Sequence, residues 1–114
     1  MAKDLRSFIA RLDREMPSDI VRVTKPISPR YEISALLTHL ETRKQFPLLY
    51  CENVAGYAAP VVINAQVSRR LMALALECDV RDLARRYAER QARILPPVEI
   101  AHAPVHEVIH IGAD

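Results

Sequence analysis

Eight prolines and only two glycines punctuate the 114 residues, and they set an upper limit on the length of every element. Proline fixes φ and has no backbone N–H, so it is tolerated at an element's edge and expelled from its interior. Pro17, Pro26, Pro29, Pro47, Pro60, the Pro96-Pro97 pair and Pro104 therefore divide the chain into short stretches. Even the longest of these, residues 61–95, carries charged residues throughout its second half, and no apolar run in the chain is long enough to span a bilayer.

Within each stretch the spacing of apolar residues decides the type of element. Leu5, Phe8, Ile9, Leu12 and Met16 recur at helical spacing, and Asp4 is placed to cap the free N–H groups of the first turn. Pro17 stops this helix. Ile20 to Thr24 reads as a strand, with Val21 and Val23 on one face and Arg22 on the other. Ser28 as cap and Pro29 as first helical residue predict a second helix, with Ile33, Leu36, Leu37 and Leu40 as its apolar stripe. Arg43 and Lys44 suit its negative end.

Leu48 to Cys51 and Val61 to Ala65 are two apolar strands around the turn Glu52-Asn53-Val54-Ala55-Gly56, which predicts a hairpin with a long loop. Ser68 predicts a capped short helix through Leu76. Asp79 predicts a longer one from Val80 to Arg93, with Val80, Leu83, Ala84, Tyr87 and Ile94 along its apolar face. Beyond Pro96-Pro97, Val98 to Ile100 and Val105 to Ile111 read as extended segments. The fold class expected is α+β or α/β, a small mixed sheet with about four helices packed on it. Residues 1–95 are expected to form one domain, and 96–114 an extended linker or strand leading out of it.

Composition narrows the function classes. Half the residues are hydrophobic and 26% are charged, a globular balance. The net charge of +2 is too small to argue for nucleic acid, and 5% aromatics is too few for a base-stacking platform. The charged opening Met1-Ala2-Lys3-Asp4-Leu5-Arg6 is no signal peptide, so the expectation is a cytoplasmic protein away from membranes. Cys51 and Cys78 stand in no metal-ligand spacing and read as reduced, partly buried thiols.

Six stretches, taken in order, resemble the UbiD family of decarboxylases. They are Asp4-Leu5-Arg6-Ser7-Phe8-Ile9, the run from Val23 through Pro26, Pro29 and Glu32 to Ile33, and Leu48 through Glu52-Asn53-Val54-Ala55-Gly56. Pro60-Val61-Val62-Ile63-Asn64, Ser68 to Leu76, and Ala103-Pro104-Val105-His106-Glu107-Val108-Ile109 complete the set. The family often carries a glycine after its Ala-Leu-Ala-Leu run. Here Glu77-Cys78-Asp79 follows Leu76, which leaves the local turn geometry open.

The resemblance implies the N-terminal domain of a carboxy-lyase for aromatic or α,β-unsaturated acids. Such enzymes use prenylated flavin mononucleotide, a divalent metal and a monovalent cation. The catalytic arginine and two glutamates lie in their central domain, so no catalytic, cofactor-binding or metal-binding residue is assigned to this chain, which alone is expected to be inactive. Its implied task is to pack against the flavin domain or a catalytic chain, with self-association left open. The alternative is a small stand-alone binding or regulatory subunit descended from that domain.

Other constellations are weaker. His102, His106 and His110 fall four apart, but along an extended strand they would spread over roughly 25 Å, too far to converge on a metal. Glu32 and Glu52 are explained by a helix's first turn and by the turn before Gly56. Cys51 sits in an apolar strand, where a thiolate is disfavoured. Ser68, Arg69 and Arg70 open a helix and are the anion-binding or interface candidates. No glycine-rich phosphate loop exists, since the glycines are Gly56 and Gly112.

Overall fold

A computed structural model describes residues 3–108, 111 and 112. Helix α1 (Leu5–Glu15) starts at the expected cap. The Asp4 carboxylate accepts the Ser7 N–H at 2.7 Å, and Ser7 Oγ accepts the Asp4 N–H at 3.2 Å, a reciprocal capping box. Pro17 opens a 3-10 turn (Pro17–Asp19) that leads directly into strand β1 (Ile20–Val23).

Helix α2 (Glu32–Thr42) crosses back and returns the chain to β2 (Leu48–Cys51), parallel to β1 with Ile20 opposite Leu48 and Val23 opposite Cys51. Strand β3 (Val61–Ile63) is antiparallel to β2, the expected hairpin, with Leu49 opposite Ile63. The sheet order is β1-β2-β3. Gly56, at φ +84°, makes the turn between β2 and β3, a conformation costly for a residue with Cβ. Helices α3 (Arg69–Leu76) and α4 (Leu83–Gln91) complete the domain, separated by a 3-10 turn (Val80–Asp82). The class is α+β, with four α-helices and a mixed sheet among the described residues.

Side-chain alternation along the strands sorts the core into two clusters. Ile20, Leu48, Tyr50 and Val62 face α1 and α3, meeting Ile9, Leu12, Leu71 and Leu74. Val21, Val23, Leu49, Cys51, Val61 and Ile63 face α2, meeting Ile33, Leu36, Leu37 and Leu40. Leu12, Leu48, Leu49 and Leu71 are fully buried. Each such leucine contributes about 1.5–3 kcal/mol over exposure. These four hold the helices to the two sides of the sheet.

Three expectations need correction. First, Ser28 does not cap α2. Its Oγ takes the Arg30 N–H at 3.1 Å in a local turn, and its own N–H donates to the Glu32 carboxylate at 2.6 Å. The hydroxyl is spent two residues away, Pro29 falls in the turn, and the helix starts at Glu32 after Tyr31 at φ 71°. Second, Asp79 caps the 3-10 turn, accepting the Arg81 N–H at 2.8 Å, and α4 proper runs only from Leu83 to Gln91. Ile94 lies beyond it and is 83% exposed.

Third, among the described residues of the tail none belongs to a strand. Residues 98–100 have no regular structure and Pro104–His106 is a 3-10 turn. A β-like pattern makes a strand only when a neighbour supplies a hydrogen-bond ladder, and among the described residues none does. Ile109 and His110, in the same stretch, lie outside the described residues.

The open question after Leu76 has a definite answer. Glu77 stands in the left-handed position at φ 51°. The Cys78 N–H donates to Ala73 O at 3.0 Å and the Glu77 N–H to Leu74 O at 3.1 Å, the paired bonds of a Schellman turn. Glutamate occupies the place that glycine takes at least cost. Lys44, at φ 57°, ends α2 in the same way.

Candidate functional site

The Ser68-Arg69-Arg70 corner forms as the sequence suggests, and the structure adds an acid to it. Ser68 Oγ accepts the Leu71 N–H at 3.2 Å and caps α3. Arg69 is exposed. Arg70 Nη2 lies 2.9 Å from Asp19 Oδ2, on the turn before β1. That oxygen is buried, and no N–H is aligned on it well enough for a hydrogen bond. A shallow groove of about 360 Å³ opens here, lined also by Lys44 and Phe46. The Asp19 carboxylate shares that groove and would repel an approaching anion. These residues do not fit a flavin phosphate, because the positive helix end and Arg70 are met by a carboxylate of the same chain.

Glu32 and Glu52 are not brought into one cleft. The Glu32 carboxylate is held by the Ser28 N–H. Glu52 Oε1 accepts from Arg22 Nη1 at 3.2 Å, while Arg22 Nη2 donates to Asp13 Oδ2 at 2.6 Å. The Arg22 guanidinium lies over the Tyr50 ring, 4.6 Å from its centroid. The Asp13 hydrogen bond, opposed by slight burial and aided by Glu52, pushes the Arg22 pKa up still further. Arg22 thus fastens α1, β1 and the end of β2 together. The sequence signal was the single arginine interrupting an apolar strand; its partners became visible only with the register that sets Arg22 opposite Tyr50.

A larger open groove, about 520 Å³, lies between α1 and α3. Leu5, Phe8, Leu74 and Ala75 line it, with Lys3, Arg11, Arg14 and Glu77 at its edge. Glu77 pairs with Lys3 at 3.1 Å and Arg11 at 3.5 Å, and Arg11 also pairs with Glu15 at 3.0 Å. The Lys3 hydrogen bond, with Arg11 nearby, holds the Glu77 carboxyl below the usual carboxylate range. Arg11 and Arg14 do the same for Glu15.

Cys51 is fully buried, and burial pushes its thiol pKa up, which disfavours the nucleophilic thiolate. His102 is exposed on an irregular stretch, His106 belongs to the 3-10 turn, and His110 lies outside the described residues. Among the described residues no three His, Cys, Asp or Glu side chains are grouped to hold a metal. No helix among them is long and apolar enough to cross a membrane.

A three-stranded mixed sheet between helices, with several surface ion pairs tying its elements together, defines a small α+β domain. The chain belongs to the 3-octaprenyl-4-hydroxybenzoate carboxy-lyase N-terminal domain family, the UbiD N-terminal domain, whose model matches residues 11–91. Among solved structures it is similar to an evolved dimeric form of the UbiD-class enzyme HmfF from Pelotomaculum thermopropionicum, in complex with prFMN. There the identity is 29%, the TM-score 0.70, and the match covers 83% of this chain and 21% of that one. The same enzyme in complex with FMN matches at 30% identity and TM-score 0.65, over 81% and 20%. Vanillic acid decarboxylase from Sedimentibacter hydroxybenzoicus, in open form, matches at 28% identity and TM-score 0.63, again over 81% and 20%. The chain spans about a fifth of the length of the structures it matches.

Proposed function

We propose that this chain serves as the non-catalytic N-terminal domain of a UbiD-type carboxy-lyase acting on aromatic or α,β-unsaturated carboxylic acids in the cytoplasm. Prenylated flavin, divalent metal and monovalent cation are held by the flavin domain, against which this domain packs. Residues 1–95 make the packed unit and residues 96–114 the connection toward that domain. Self-association runs through the other parts of the enzyme.

The observation that carries the reading is an exposed apolar stretch directly beyond the end of the family match. The match ends at Gln91. Just past it, Ile94, Leu95 and Val98 are each more than 80% exposed, and Ile100 is 60% exposed. Apolar side chains crowded on one irregular stretch mark a surface awaiting a partner. The helix before it supports the same view. Leu83 is the buried residue of α4, and Arg85 and Arg86 pair with Asp82 and Glu89 along its surface. A helix this polar, stabilised by its own ion pairs, suits a bridge between domains.

The test supplies the purified chain with prFMN and a divalent metal and measures carbon dioxide release from aromatic and α,β-unsaturated acids. No turnover is expected, and sustained turnover would overturn the non-catalytic assignment. Reading the coding sequence past the codon for Asp114 tests the domain assignment separately. An open frame into a flavin domain supports it, and a stop codon turns the search to a separately encoded catalytic partner.

A further inference from the structure

We draw no further inference here: the strongest candidate, the open groove between α1 and α3 lined by Leu5, Phe8 and Leu74, has Lys3, Arg11 and Arg14 at its edge already paired with Glu77 and Glu15, and nothing in the structure shows what covers it.

Discussion

Glu77 offers a direct test of the backbone geometry, because two substitutions there separate the main chain from the side chain. Glu77→Ala and Glu77→Gly both remove the carboxylate and its pairing with Lys3 and Arg11. They differ in Cβ alone, at a position held at φ 51°. A Cβ in the left-handed region costs about 1–2 kcal/mol. Glycine gives back about 0.5–1 kcal/mol of that through its greater freedom in the unfolded chain. The glycine variant is therefore expected to be the more stable of the two by roughly 0.5–1 kcal/mol, or about 2–8 °C in melting temperature for a domain of this size. Thermal unfolding followed by circular dichroism reads the gap directly. Since neither variant carries the carboxylate, salt should leave the gap unchanged. The difference between wild type and the alanine variant, by contrast, should shrink as salt screens the exposed ion pairs. An alanine variant as stable as the glycine variant would refute the left-handed turn and the reading of Glu77 as glycine's substitute. Lys44 repeats the geometry at the end of α2, so Lys44→Gly and Lys44→Ala should show a gap of the same sign.

Three further outcomes are expected. Leu71→Ala, at a fully buried position where α3 meets α1 and the sheet, should cost about 2–5 kcal/mol in urea unfolding; a loss under about 1 kcal/mol would mean that the site is not packed as described. Asp4, Glu15, Glu77 and Asp79 all have carboxyl pKa values held down in the fold, chiefly by hydrogen bonds from Ser7, Arg11, Lys3 and Arg81 respectively. The unfolded chain then binds protons first as pH falls, so their stabilisation is complete above the ordinary carboxylate range, about pH 4–4.5, and drains away below it. Unfolding midpoints that stay flat or rise from about pH 5 to about pH 3 would contradict this. Cys51 should resist a thiol reagent in the native protein until the domain unfolds, while half-buried Cys78 reacts first; mass spectrometry of the labelled peptides decides the order.

Much of the fold was legible because its causes are local or periodic. The α1 capping box, the short apolar run of β2 and the Ser68 cap depend on residues within a few positions of one another. The sequence misled where two local uses of one group compete, and was silent where the deciding partner is distant. Ser28 is a sound helix cap by type, yet its hydroxyl serves Arg30 and its N–H serves Glu32. Glu77 takes a left-handed turn in which its side chain meets Lys3 from the far end of the chain. Arg22 finds Glu52 thirty residues away, which no spacing rule announces. The candidate anion corner was legible as a capped helix with arginines, but Asp19 reaches it from another element.

The tail is the case in which pattern and structure diverge furthest, and the divergence itself can be tested. Val105 to Ile111 has strand-like side chains, yet none of its described residues joins the three-stranded sheet, and each large apolar residue described beyond Gln91 is at least 60% exposed. Side chains that remain in water contribute almost nothing to the domain's hydrophobic stabilisation. A chain ending at Gln91 should therefore unfold in urea within about 0.5 kcal/mol of the longer one, the tolerance usual for surface changes. It should also bind less of a hydrophobic dye, because the exposed Ile94, Leu95, Val98 and Ile100 are gone. A loss of more than about 1 kcal/mol, in the range typical of removing native contacts, would show instead that the tail packs on residues 3–91. The proposed connection toward a flavin domain would then lose its physical basis, since apolar groups already buried against their own domain have no need of another.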